Sequence, residues 1–180
     1  EELFHMPNTS ATNLHKEMRR TMKERVEAAA KIVNATTEQF IVWTASNEEC
    51  AELARAIPDS VEVVGADSME FKGAVLKCFS GTADDDDWAL VKKHSKNSNL
   101  DSSMRVLVSK PSIFGFGCNM QFCRNDIYVG MTHSFEKFYQ AGKRIHRFGQ
   151  KMPVKRYIVQ ADTENGVMTA IMRKQSQHDT

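Results

Sequence analysis

Gln140, Arg144 and Arg147 stand at i, i+4 and i+7 in the stretch FYQAGKRIHRFGQK, residues 138–151. An α-helix turns about 100° per residue, so all three fall within an arc of roughly 60°. Phe135, Phe138, Gly142 and Ile145 fall on the opposite side, the face expected to pack on a sheet. Ser134 is placed to cap the start of such a helix, and Gly149 supplies a left-handed stop. Guanidinium groups on a rigid mount suit forked contacts to phosphate oxygens. Spacing alone leaves two readings open: a solvated basic face, or an anion site whose phosphate is held elsewhere.

Other chemistry is scarce. The chain has no G-x-x-x-x-G-K-[ST] phosphate loop, and no G-x-S-x-G, H-E-x-x-H or complete G-x-G-x-x-G. Cys50, Cys78, Cys118 and Cys123 form no C-x-x-C pair, which argues against zinc and for a reduced, intracellular protein. Pairing Cys118 with His133 as a nucleophile has no local support. Asp84 to Asp87 are successive carboxylates that share no face, so they read as a solvated loop rather than a metal site. No metal ligands are therefore assigned.

The 180 residues suit one ordinary domain or two very small ones, and 41% hydrophobic with 26% charged residues is near the soluble globular average. A net charge of +1 means that any nucleic-acid surface must be a local patch. No apolar run is long enough to span a bilayer. A first residue of Glu1 rather than Met suggests a processed or excised piece.

The elements that must position the arginines follow from periodicity. Leu14, Met18, Met22, Val26, Ala30 and Val33 recur about once per turn, predicting one amphipathic helix over 13–34. Strands are expected at 40–44, 61–64, 104–109, 126–129 and 154–159. Helices are expected after Ser46, after Asp67, from about 134 to 148, and beyond Asp162. Ser46 with Glu49, and Asp67 with Glu70, have capping-box spacing. Strands alternating with helices predict an α/β fold with a mainly parallel sheet covered on both faces. Residues 82–103 break the rhythm and read as a polar surface insertion with one helical turn near Trp88.

QAGKRIHRFGQ (140–150) fits Q-x-x-x-R-x-x-R-x-G-Q at every fixed position, and so resembles the last motif of superfamily 2 helicases of the Swi/Snf type. SKPSIFGFGCNMQFC (109–123) resembles the preceding G-x-G-x-N loop of that family. FIVWTASNEECAELARAI (40–57) and VVGADS (63–68) resemble the opening of its second motor lobe, and VQADTENGV (159–167) the helix start that follows. The wording is nearest to helicase-like proteins of phages and prophages. The stretch VGMTHSFEKFY (129–139) departs from the chromatin-remodeller pattern.

The resemblance implies a RecA-like three-layer α/β/α lobe over 38–180, carrying the insertion at 82–103 and preceded by a helical extension at 1–37. ATP would lie between this lobe and an N-terminal RecA-like lobe of the same protein, with Mg2+ held mainly by that other lobe. Arg147 would be the arginine finger, Arg144 a second cation or anchor, and Gln140 a positioning group. Gly115 and Gly117 would let the backbone approach a ligand, and Asn119 would bridge toward the nucleic-acid track. Backbone near Ser46, Asn47, Gly65 and Ala66, with Ser109 and Lys110, would contact phosphates of a nucleic acid, DNA being expected. The resemblance also implies a cytoplasmic setting in a bacterial or phage-infected cell, no membrane contact, and an isolated piece without activity. Two other readings remain open at this point: a RecA-like binding module without catalysis, and a motor lobe serving a restriction or repair complex.

Overall fold

The runs FIVWT, SVEV, VLVS and NDIYV are buried at every position, as strands covered on both faces must be. The structure is a computed structural model that describes residues 11–97, 100, 103–114, 118–130, 140–143, 145–146 and 149–162. Its elements are α1 (Ala11–Arg20), α2 (Met22–Asn34), β1 (Phe40–Thr44), α3 (Asn47–Ala56), β2 (Ser60–Val63), α4 (Met69–Ser80), α5 (Asp85–His94), β3 (Val106–Ser109), β4 (Asn125–Val129) and β5 (Lys155–Val159). Residues 140–143 and 145 are helical as well. The predicted strands are thus all present, with ends shifted by a residue or two.

The strand order is β2-β3-β1-β4-β5, and every pairing is parallel. Alternation along β1 sends Ile41 and Trp43 to one face and Phe40 and Val42 to the other. The first face is covered by α4, α5 and the helix at 140–145 through Phe71, Val75, Phe79, Val91, Ala141 and Ile145. The second is covered by α2 and α3 through Val26, Ala29, Val33, Cys50, Leu53 and Ile57. The chain leaving β1 enters α3 on the second face. The segments leaving β3 and β4 bury Phe114, Met120 and Ala141 on the first. At the carboxyl ends of the strands the chain therefore diverges on either side of β1, which is where open α/β sheets form their crevices.

Three local expectations need correction. The helix expected over 13–34 is two helices meeting at Thr21, whose hydroxyl donates to the Glu17 carbonyl at 2.9 Å, a back-bond that bends helices. The cap of α4 is Ser68, which accepts from Phe71 N–H; Asp67 instead accepts from Val64 N–H at 2.7 Å and closes the preceding turn. Asp84 to Asp87 are not a solvated loop. Asp84 caps α5 and accepts from Asp87 N–H at 2.8 Å, the Asp87 carboxylate accepts from Asp84 N–H at 3.3 Å, and Lys77 pairs with Asp87 at 2.9 Å. Carboxylates in a first turn are favoured by the helix dipole, and Val91 and Trp88 anchor the helix to the core.

Candidate functional site

Loops at the carboxyl ends of β1, β2 and β3 carry the residues expected to meet a nucleic acid. The Ser46 hydroxyl accepts from Glu49 N–H at 3.2 Å, so α3 begins as its capping spacing predicts and leaves Asn47 exposed in its first turn. Glu49 does not complete a capping box. Its carboxylate turns inward, accepting from Ala45 N–H at 3.4 Å and from Arg25 Nη2 at 2.7 Å. Gly65 and Ala66 are exposed in the turn after β2, where Lys72 Nζ donates to the Gly65 carbonyl at 3.0 Å. Ser109 is fully buried, and its hydroxyl donates to the Val63 carbonyl at 2.8 Å, tying β3 to β2. Lys110 follows it, half-buried at the same edge. Parallel topology thus brings Ser46, Asn47, Gly65, Ala66 and Lys110 to one rim, with the Ser109 hydroxyl engaged inside.

The helix carrying 140–143 and 145 presents the two faces that its spacing requires. Gln140 is exposed, whereas Ala141, Gly142 and Ile145 are buried against the sheet. Gly149 has the expected positive φ, +97°, but His146 is already a bend, so the helix ends at 145 rather than at the expected 148 and Gly149 turns the chain beyond it. Arg144, Arg147, Gly115 and Gly117 lie outside the described residues, as do Ser134, Phe135 and Phe138. Asn119 is exposed and closes a small turn, its Oδ1 accepting from Gln121 N–H at 3.2 Å. Gln150 Nε2 donates to the Gln121 carbonyl at 2.9 Å and to the Ile145 carbonyl at 3.4 Å. The structure therefore joins the end of the helix motif to the segment of Asn119, through a glutamine whose role the motif pattern alone did not reveal.

Two ion pairs flank this arrangement, the first buried on both sides and the second with its carboxylate buried and its guanidinium partly exposed. Arg25 and Glu49 retain 3% and 1% side-chain exposure, and Arg25 also donates to the Met18 carbonyl at 2.7 Å and to the Thr21 hydroxyl. Gly130, which ends β4 at φ +70°, sits against them. A Cβ there would lie 2.9 Å from Met18 Cε, the movable end of its side chain, and 3.3 Å from Glu49 Oε2, so it is the left-handed conformation that calls for glycine. Burial pushes the Glu49 carboxyl above its ordinary pKa, with the Arg25 charge and hydrogen bonds opposing. The sequence signal was a polar residue seven after Met18 on an otherwise apolar stripe.

The second pair joins adjacent strands, Asp126 on β4 opposite Arg156 on β5. Burial likewise raises the Asp126 carboxyl, against hydrogen bonds from Arg156. It also raises the Tyr128 hydroxyl.

Among the described residues no group of three or more His, Cys, Asp or Glu side chains is placed to hold a metal ion. No helix among them is long and apolar enough to cross a membrane.

No protein-family model and no curated protein matches the chain. Solved structures do match its fold. One is the C-terminal part of the Fun30 ATPase domain, with a TM-score of 0.65 at 14% identity, aligned over 82% of this chain and 44% of that one. The chain thus spans less than half the length of that neighbour. Identity this low speaks for architecture alone: five parallel strands between two helical layers, in the RecA-like arrangement of an ATPase C-terminal part.

Proposed function

We propose that this chain is the C-terminal motor lobe of an ATP-dependent DNA helicase or translocase, completed by an N-terminal RecA-like lobe. The observation that carries this reading is the orientation of the helix at 140–145. Gly142 and Ile145 are buried and Gln140 is exposed, so the side to which spacing assigns Arg144 and Arg147 is the side away from the sheet. In a RecA-like lobe such a face suits a cleft shared with a partner lobe. Arg147 acts there as the arginine finger on the γ-phosphate of ATP, Arg144 as a second cation, and Gln140 as a positioning group. Fixed positive charge at that point stabilises the transition state without reorganisation, an effect on the order of 10³–10⁵ in rate. The Mg2+ that accompanies ATP would neutralise phosphate charge and belong mainly to the other lobe.

The rim formed by Asn47, Gly65, Ala66 and Lys110 serves as the nucleic-acid track, with backbone amides and one lysine contacting successive phosphates. Gly115, Gly117 and Asn119 link that track to the nucleotide cleft. In this reading Ser46 and Ser109 shape the rim from within, through the cap of α3 and the tie to Val63. The wording of the last motif points to the phage and prophage branch, and so to the cytoplasm of a bacterial or infected cell.

The test joins this chain to the polypeptide that precedes it and measures ATP hydrolysis with and without DNA. Hydrolysis by the joined protein that rises on adding DNA, with none from this chain alone, is expected. DNA-independent hydrolysis by this chain alone would refute the assignment.

A further inference from the structure

The helix at 140–145 meets the sheet at Gly142, and the contact is unusually close. A Cβ built on Gly142 would lie 2.6 and 2.9 Å from the two terminal nitrogens of Arg156 and 3.0 Å from its Cζ. The guanidinium of a β5 residue thus fills the volume that a side chain at 142 would have taken. An arginine tip is ordinarily free to swing aside. This one is held. Its Nε donates to both Asp126 oxygens at 3.0 and 3.2 Å, and Nη2 donates to one of them at 2.9 Å. Its Cζ stands 5.4 Å from the centroid of the Tyr128 ring, whose hydroxyl hydrogen-bonds Asp126 in turn. Asp126 is fully buried, and strand register places it directly opposite Arg156. The seat is a stack: a buried carboxylate, a forked guanidinium clamped on it, and a helix backbone with no side chain at the contact.

We propose that Arg156 is a positioning residue of the motor, clamped by Asp126 beneath Gly142 so that it sets the height of the motif helix above β4 and β5, and with it the reach of the arginines at 144 and 147. This rests on the motor-lobe reading for its catalytic half; the seat itself does not. Ordinary contact begins near 3.4 Å, so a methyl at 142 forces the helix to move by about 1 Å while the clamp holds. A displacement of about 1 Å in positioned groups costs on the order of 10²-fold in rate.

The experiment compares Gly142→Ala, the paired replacement Asp126→Asn/Arg156→Met, and all three together. The paired form removes the clamp without stranding a buried charge. Hydrogen exchange of the His146 amide, which donates to the Gly142 carbonyl at 3.1 Å, reports the helix in this chain, and urea midpoints report the fold. In the joined two-lobe protein, kcat and the KM for ATP are measured.

Gly142→Ala should speed His146 exchange about tenfold and lower kcat about 10²-fold with KM little changed. The paired replacement should speed exchange when Gly142 is present, but slow it and recover kcat when added to Gly142→Ala. That reversal of sign supports the proposal. Additive effects on exchange overturn it. Reversal in exchange without recovery of kcat, in an otherwise active protein, overturns the positioning role. A wild-type two-lobe protein that hydrolyses no ATP sinks the motor reading and the positioning role together, and exchange then shows whether the seat itself stands.

Discussion

Replacing Arg25 with Met should be among the most damaging single changes in the chain, although Arg25 lies far in sequence from the motif helix. Arg25 Nε and Nη2 donate to Glu49 Oε1 at 3.1 and 2.7 Å, with both side chains almost wholly buried. Removing the cation leaves a buried carboxylate whose remaining described hydrogen bond is from Ala45 N–H at 3.4 Å. Breaking such a pair from one side costs about 3–5 kcal/mol, whereas replacing both partners with apolar groups is often neutral. Arg25→Met and Glu49→Leu should each lose about 3–5 kcal/mol, and the double variant should lose less than either alone. With a typical denaturant slope, each single change lowers the urea midpoint by about 2 M.

The pH dependence has a definite sign. Folded Glu49 already titrates above its ordinary value because of burial, and losing Arg25 raises it further. Between the unfolded and folded pKa the native state then binds more protons, so stability of Arg25→Met rises as pH falls from 7 toward 5. The deficit relative to wild type should narrow over that interval. Urea unfolding by circular dichroism at both pH values measures it. A loss below about 1 kcal/mol for Arg25→Met, or strictly additive losses in the double variant, would refute the argument.

Two further outcomes follow from local geometry. Burial pushes Cys50 and Cys78 up to about 11 and Cys123 to about 12, while Cys118 is only half-buried. Iodoacetamide at pH 8 should therefore modify Cys118 first in the native chain and all four thiols in urea, read by mass spectrometry; equal native rates would contradict the burial. Asp84→Ala removes the side-chain cap on Asp87 N–H, leaving the Asp84 N–H bond to Asp87 in place, and should cost about 1 kcal/mol in urea unfolding, with no measurable change meaning that the aspartate run does not set the helix start.

Elements that carry their own signature could be read directly from the sequence. FIVWT spans β1 from end to end because a doubly covered parallel strand must be apolar throughout. Ser46 caps α3, and Gly149 takes a positive φ, because such positions are written in single residue types, although the motif helix ends before Gly149. Spacing also separated exposed Gln140 from buried Gly142 and Ile145. The aspartate run misled because four like charges resemble a solvated loop, although Trp88 and Val91 at i and i+3 already marked an anchored helix. Arg25 with Glu49, and Arg156 with Gly142, were out of reach for another reason. Each depends on which strands and helices become neighbours, and no spacing along the chain encodes that. Gln150 lies between the two cases: its position in the motif was visible, but its bond to the Gln121 carbonyl required the fold.

The central claim is that this lobe lends a guanidinium to a phosphoryl transfer completed by another lobe. Its most direct test is single-turnover ATP cleavage by the two-lobe protein on saturating DNA, with wild type beside Arg147→Ala and nucleotide affinity measured separately. In Arg147→Ala the cleavage rate should fall by about 10³-fold or more, with affinity within a few-fold of wild type. A cleavage rate close to wild type in that variant would contradict the claim.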